Sequence, residues 1–337
     1  MKQVNFANTN EKVSHCCLGA MLMGTSMDKA ASFAVLDHFR EQGGNFIDTA
    51  NCYSWWVGNG ENIGDESENI IGEWMSDRKC RNEIFLATKV GGRLKDPHGI
   101  RNTSEEIEWH RVRSEYEGLR ADVIKKGVEG SLRRLRTECV DLYYAHVFDN
   151  VTPLEETMEA FNSLIKEGKV RYIGCSNITV QKIEEANRIS KQRHFAPYLA
   201  MQQEYSYLHP DRTMDTGVTE HADATMFACM KSQGMTFLAY SPLLKGLYGD
   251  KEKRETYYNR HLYDSDQNRE KLALVDKLSH ELGVTGNQLV LAWLLRHEPQ
   301  IIPIIGFSRM EQYLENMEAL KVVLPDEITR ALNELDW

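Results

Sequence analysis

The stretch GGNFIDTANCYSWW, residues 43–56, sets a short apolar run, Phe46 to Asp48, directly against a polar one: Asp48, Thr49, Asn51, Cys52 and Tyr53, with Trp55 and Trp56 behind. It reads as a buried strand with an ionisable carboxylate and a phenol at its mouth. Seven further β-branched or aromatic runs share its character: HCCLGAM (15–21), IFLATK (84–89), CVDLYYAH (139–146), VRYIGCS (170–176), YLAMQQE (198–204), MTFLAYS (235–241) and IIPIIG (301–306). With NFIDT (45–49) they make eight. Between them lie helix-period segments such as KAASFAVLDHFREQG, ESENIIGEWMSDR, PLEETMEAFNSLIKEG and REKLALVDKLSHELG. Several end at a glycine (Gly43, Gly168, Gly234, Gly283), where a left-handed residue closes a helix. Strand, helix, strand in repetition requires parallel strands joined by right-handed crossovers. Eight such units close into a (β/α)8 TIM barrel more naturally than they spread into a doubly wound sheet.

No Pro/Ser-rich linker or charge block divides the 337 residues, so the expectation is a single domain over 1–337, with long βα loops at about 54–66, 92–122 and 243–268. The chain is 42% hydrophobic and 27% charged, the composition of a globular protein with a large core. Forty basic and fifty acidic residues give a net charge of −10, which opposes attraction to nucleic acid or to anionic membranes. The longest apolar run, LVLAWLL at 289–295, is far short of the roughly 18 residues of a membrane span. The start, MKQVNFANTN, lacks the apolar segment of a secretory signal, and seven cysteines without CxxC spacing suit a reducing compartment. The expected location is cytoplasmic.

A parallel barrel presents its chemistry at the C-terminal ends of its strands. The polar residues there are Asp48 and Tyr53, Lys89, His146, Ser176 and Asn177, Gln202 and Glu204, Tyr240 and Ser241. Singly, each is explained as readily by a solvated charge or a packed aromatic as by function. Together Asp48, Tyr53, Lys89 and His146 make a proton-delivery device. An ammonium beside a tyrosine favours phenolate and should lower its pKa from about 10. Lys89 could supply that ammonium, Asp48 could keep it charged, and His146 could hold a carbonyl oxygen beside the phenol. Such a site protonates a developing alkoxide but contains no nucleophile, so the electron pair must come from a cofactor, and hydride from a nicotinamide is the natural supplier. Ser176, Asn177 and Gln202 have donors and acceptors for a carboxamide, and Tyr240 offers a flat face for the ring. IIGFSRMEQYLEN puts Gly306 at a strand end and opens a helix near Ser308 and Arg309, a suitable place for phosphate.

In order and spacing, FIDTANCY, ESENIIGEWM, FLATK, SLRRLRTECVDLYYAH, GKVRYIGCSN, MQQEYS, AYSPLLKG and PIIGFSRMEQYLEN resemble the aldo-keto reductase family over nearly the whole chain. The resemblance implies an NAD(P)H-dependent carbonyl reductase acting on a small-molecule carbonyl or alcohol, with Tyr53 as general acid beside Asp48, Lys89 and His146. It implies carboxamide contacts from Ser176, Asn177 and Gln202, stacking by Tyr240, pyrophosphate contacts near Ser241, Leu243 and Lys245, and Gln312 and Asn316 at the adenosine end. NADP-selective members often carry two basic residues in the segment matching 306–312, where this chain has only Arg309. NADP is the expected cofactor, with NAD left open.

GNGENIG (58–64) imitates a dinucleotide fingerprint, but it has one residue too many before its third glycine, and its helix is expected to begin only after Asp65 and Ser67; it is read as a surface loop. Trp55 and Trp56 are candidate substrate walls; Trp109, Tyr116, Tyr257, Tyr258 and Trp337 are weaker ones. TSEEIEWHRVRSEYEGLR begins like a capping box at Thr103 and predicts an extra helix. KEKRE (251–255) reads as a solvated face, with its lysines a secondary cofactor contact. Neither HExxH nor HxH spacing occurs, so no metal is expected, and Cys16 and Cys17 are assigned to packing. Two other functions remain open from sequence: a Schiff-base lyase or aldolase using Lys89, and a nucleotide-sensing regulatory subunit.

Overall fold

The computed structural model describes residues 1–101, 106–249 and 251–336. A two-stranded antiparallel hairpin, β1 (Gln3–Asn5) and β2 (Lys12–Ser14), precedes eight parallel strands: β3 (Cys17–Gly19), β4 (Phe46–Asp48), β5 (Phe85–Val90), β6 (Val140–Ala145), β7 (Val170–Ser176), β8 (Tyr198–Glu204), β9 (Thr236–Tyr240) and β10 (Ile301–Ile305). These close in the order β10-β3-β4-β5-β6-β7-β8-β9. The expected (β/α)8 barrel is therefore present, with every strand position anticipated and the first shortened from seven residues to three. Helices follow the strands in the expected places, and Gly43, Gly168, Gly234 and Gly283 all sit at positive φ where their helices end.

Strand side chains alternate between two faces. One face packs on the helices; the other fills the barrel with Cys17, Phe46, Phe85, Ala87, Leu142, Tyr144, Ala200, Leu238, Ile302 and Ile304. Cys16 and Cys17 are both fully buried, one on each side of the wall. Carrying the same parity two residues toward the C-terminal ends puts Asp48 above Phe46, Lys89 above Ala87, His146 above Tyr144, Gln202 above Ala200 and Tyr240 above Leu238. The barrel's own alternation thus aims the candidate site residues inward.

The hairpin was not anticipated. Its Val4 and Val13, with Phe6, join the inner cluster, and the Phe6 ring lies 4.9 Å from that of Phe85. It stoppers the N-terminal end, the end away from the candidate residues. A last helix, Asp326–Glu334, was likewise missed; beyond it Asp336 approaches the buried Lys271, whose ammonium donates to the carbonyls of Tyr207 (2.9 Å) and Asp336 (3.0 Å). The predicted extra helix after β5 forms as Trp109–Glu115, while the capping box proposed at Thr103 lies outside the described residues.

The GNGENIG segment is a loop of turns, and the helix after it begins at Glu66, the first residue of the ESENIIGEWMSDR pattern and ahead of the start read from Asp65 and Ser67. The Glu66 carboxylate accepts from the loop amides of Ile63 (3.0 Å) and Gly64 (2.9 Å), which ties the end of the loop to the helix. KEKRE becomes a short helix, Lys251–Thr256, and Arg254 departs from the solvated reading by pairing with Asp276 at 2.6 Å. No helix among the described residues is long and apolar enough to cross a membrane. If the hairpin is a working stopper, Phe6→Ala should lower the unfolding free energy by about 3–5 kcal/mol in a denaturant titration, the usual cost of a large buried aromatic.

Candidate active site

At the C-terminal mouth the four ionisable residues meet. Lys89 is fully buried, and its ammonium has three partners: the Asp48 carboxylate, the Thr49 carbonyl at 2.8 Å and the Tyr53 hydroxyl at 3.1 Å. Three donors meet three acceptors, which is the full capacity of an ammonium. Asp48 is buried too, and its other oxygen accepts from the Gln202 amide at 2.9 Å. On the far side of the phenol, His146 Nε2 lies 3.4 Å from the Tyr53 oxygen. Tyr53 therefore sits between a cation and an imidazole.

Burial works against the Lys89 charge, but Asp48 and Tyr53 together raise its pKa above the usual lysine value, so the ammonium is held. Burial raises Asp48 above the usual carboxylate value, and Lys89 and Gln202 oppose that only in part. His146 is pushed well below the usual histidine value, by burial and then by the nearby ammonium, and stays neutral. The expectation for Tyr53 is corrected. Its pKa is not lowered but pushed up to about 12, because loss of hydration costs the phenolate more than Lys89 returns, and Asp48 adds repulsion. In this state the phenol keeps its proton.

Sequence reading missed the partner on the other His146 nitrogen. Cys52 Sγ lies 3.5 Å from Nδ1, and burial pushes this thiol up to about 12, so it remains a weak S–H donor. A thiol donating to Nδ1 leaves the ring proton on Nε2, the nitrogen facing Tyr53. Gly92 permits this placement: a Cβ there would come within 2.7 Å of Nδ1.

The remaining candidates form a second group around the rim. Asn177, at φ 51, is fixed by Gln203, whose side-chain oxygen accepts from the Asn177 amide at 2.8 Å. Its side-chain nitrogen donates to the His146 carbonyl (2.9 Å) and to Ser176 Oγ (3.1 Å), and its oxygen accepts from the Tyr240 hydroxyl at 2.7 Å. Gln203 was another omission; the signal was its place on the strand face opposite Gln202. Ser241 and Lys245 have positive φ, Leu243 is buried between them, and the Lys245 ammonium lies 4.2 Å from the centre of the Tyr258 ring. After β10 the Gln312 side chain accepts from both the amide (2.9 Å) and the hydroxyl (3.0 Å) of Ser308, and Asn316 donates to the Gly306 carbonyl at 3.2 Å. Arg309 is the N-terminal flanking residue of the helix Met310–Ala319, and its side chain is exposed.

The two tryptophans separate. Trp55 is only 3% exposed, packed with Ala50, Leu94, Ile100 and Val112, which makes it a support under the rim and corrects its reading as a substrate wall. Trp56 is half-buried and edge-on to Tyr53 at 5.9 Å, and remains a candidate wall. Of the weaker candidates, Tyr116 is half-buried and Trp337 lies outside the described residues. No cluster of three metal-ligating side chains occurs among the described residues.

The sequence pattern of the Aldo/keto reductase family matches residues 16–336. The chain belongs to the aldo/keto reductase family. It is 32% identical to an uncharacterized oxidoreductase, YrpG, of Bacillus subtilis, over 99% of this chain and 96% of that one. It is 32% identical to the aldo-keto reductase yakc [NADP(+)] of Schizosaccharomyces pombe, over 94% and 86% respectively. It is 29% identical to norsolorinic acid reductase of Aspergillus flavus, over 96% and 78%. As a member of this family it is an oxidoreductase.

The Asp48–Lys89 pair can be tested without any substrate. Lys89→Met leaves a buried carboxylate unpaired and should destabilise the fold by about 3–5 kcal/mol in urea, whereas Asp48→Asn/Lys89→Met should recover most of that loss.

Proposed function

We propose that this aldo/keto reductase reduces an aldehyde or ketone with NADPH, Tyr53 giving the proton. The observation that carries the reading is the Tyr53 hydroxyl set between Lys89 Nζ at 3.1 Å and His146 Nε2 at 3.4 Å. Three features of the rim support a dinucleotide there: Asn177 is fixed in a left-handed conformation, Gly306 has open space where a side chain would stand, and the Ser308 loop is already closed by Gln312. Ser176, Asn177 and Gln202 would hold the carboxamide, with Tyr240 against the ring. Ser241, Leu243 and Lys245 would line the pyrophosphate, and Gly306, Ser308, Arg309, Gln312 and Asn316 the adenosine end. Lys253 supports the secondary cofactor reading, since its ammonium lies 3.2 Å from where a Cβ of Gly246 would be.

When bound, the cofactor supplies hydride to the carbonyl carbon. The chain's own part is the oxygen. His146, neutral and protonated at Nε2, donates to the carbonyl oxygen and orients it, and Tyr53 delivers its proton as negative charge builds there. A phenol held near 12 is fully protonated at neutral pH, and Lys89 stabilises the phenolate left behind. The proton is thus withheld until an alkoxide forms to take it.

The lyase alternative conflicts with the geometry. A Schiff base needs a neutral amine with a free lone pair, whereas Lys89 is held as an ammonium with all three donors engaged. NADP is favoured over NAD by the exposed cationic head of Arg309 at the helix start and by the named cofactor of the fission-yeast relative.

Tyr53→Phe should lower kcat by about 10²–10⁴-fold, the usual contribution of a general acid, while NADPH still quenches tryptophan fluorescence with near wild-type affinity. Wild-type turnover in that variant would remove the assignment. Arg309→Gln should weaken NADPH binding about tenfold and leave NADH binding almost unchanged, as read by the same titration. Equal weakening of both would place Arg309 away from the 2′-phosphate.

A further inference from the structure

A cleft of about 670 Å³ opens over the ends of β5 to β8. Its floor includes Gly91, Asn177 and Val147, the residue after His146. The cleft runs from the loops after β5 and β6, past Asn177, to Gly217 and Glu220 in the loop after β8, so it borders the proposed cofactor seat at Asn177. Its β5–β6 side, next to His146 in the chain and away from Ser241 and Ser308, is the side open to the remote end of a substrate, an assignment that rests on the reductase reading above. Half-buried Tyr116 and Phe148 give it aromatic sides.

Its charges are arranged unequally. Two acids of the lining are tied into the walls: Glu117 accepts from the Gly91 amide (2.9 Å) and the Asn51 side chain (3.0 Å), and Asp149 from the amides of Leu119 and Val151 (both 2.8 Å). A third acid, Glu220, lies on the opposite wall, beside Gly217 and Val218. Of four basic residues, Arg120 pairs with Asp122 at 2.9 Å and Lys182 with Glu185 at 2.7 Å. Lys95 and Arg113 line the cleft with exposed heads, and neither makes an ion pair or side-chain hydrogen bond among the described residues. They belong to one substructure: the Lys95 amide donates to the Glu115 carbonyl at 2.9 Å, Leu94 bridges to Tyr116, and Arg113 lies in the last turn of the helix Trp109–Glu115. The Glu115 side chain, across from Lys95, does not line the cleft. Lys95 and Arg113 are thus the two cations of the lining left without a carboxylate partner among the described residues.

We propose that this cleft selects a carbonyl compound bearing a carboxylate or comparable anionic group at the end remote from its carbonyl, with Lys95 and Arg113 receiving that group and Tyr116 and Phe148 flanking its body. A neutral aldehyde of the same size would forgo the charge-assisted contacts.

The test compares 4-carboxybenzaldehyde with methyl 4-formylbenzoate under NADPH. The ester is the more electrophilic aldehyde, so a preference for the acid cannot come from intrinsic reactivity. The expected result is a kcat/KM at least about tenfold higher for the acid, carried mainly by KM and shrinking with added salt. Lys95→Gln/Arg113→Gln should abolish that preference. An ester used as well as or better than the acid, or a preference unchanged in the double variant, overturns the proposal. If NADPH reduces neither aldehyde nor benzaldehyde, the reductase reading itself fails, and the cleft is judged by fluorescence titration with terephthalate. Saturable binding lost in the double variant then supports the anion site, and equal or absent binding overturns it.

Discussion

A single buried ion pair organises the mouth of this barrel. Burial opposes the charge on both partners; Asp48 favours the Lys89 ammonium, and Lys89 and Gln202 favour the Asp48 carboxylate. Pairs of this kind contribute little net stability, because desolvation consumes most of the attraction. Their effect here is positional. The ammonium has three donors, two are fixed by Asp48 and the Thr49 carbonyl, and the third is thereby aimed at the Tyr53 oxygen. Tyr53 is held from one side, His146 meets it from the other, and Cys52 and Gly92 set how His146 lies.

The same economy extends along the rim. Asn177 is bonded to His146, Ser176, Gln203 and Tyr240 at once, so the proton-handling residues and the proposed carboxamide seat share one fastening. A distortion at either group is felt at the other through a single side chain. This is how a parallel barrel combines residues far apart in sequence: each strand contributes one inward position, and the βα loops supply the bonds that tie neighbours together.

Much of this was legible in the residues. Eight apolar runs at crossover spacing state a parallel barrel, and the alternation that puts Phe46 inside also puts Asp48 inside, so the inward ring follows from period two alone. The features that escaped have physical causes. The Gln3–Ser14 hairpin is made of two three-residue strands, too short for alternation to register. The helix Asp326–Glu334 carries its start signals openly, with Pro325 before Asp326 and Glu327 and with Ile328 and Leu332 four apart on its buried face, but it lies beyond the eighth strand unit, where the barrel pattern asks for no further strand or crossover. The rise in the Tyr53 pKa depends on how much hydration the phenol loses, a three-dimensional quantity, while the ammonium that opposes it was visible in one dimension. Trp55 and Trp56 are adjacent and chemically identical; only the loop's path decides which is walled in.

The hairpin has a consequence beyond packing. With the barrel filled by its inner side chains and Phe6 capping the far end, everything that reaches Tyr53 must pass over one lip. Two guests that share one doorway have to queue: whichever lies deeper arrives first and departs last, so traffic is ordered by depth alone, without any moving gate.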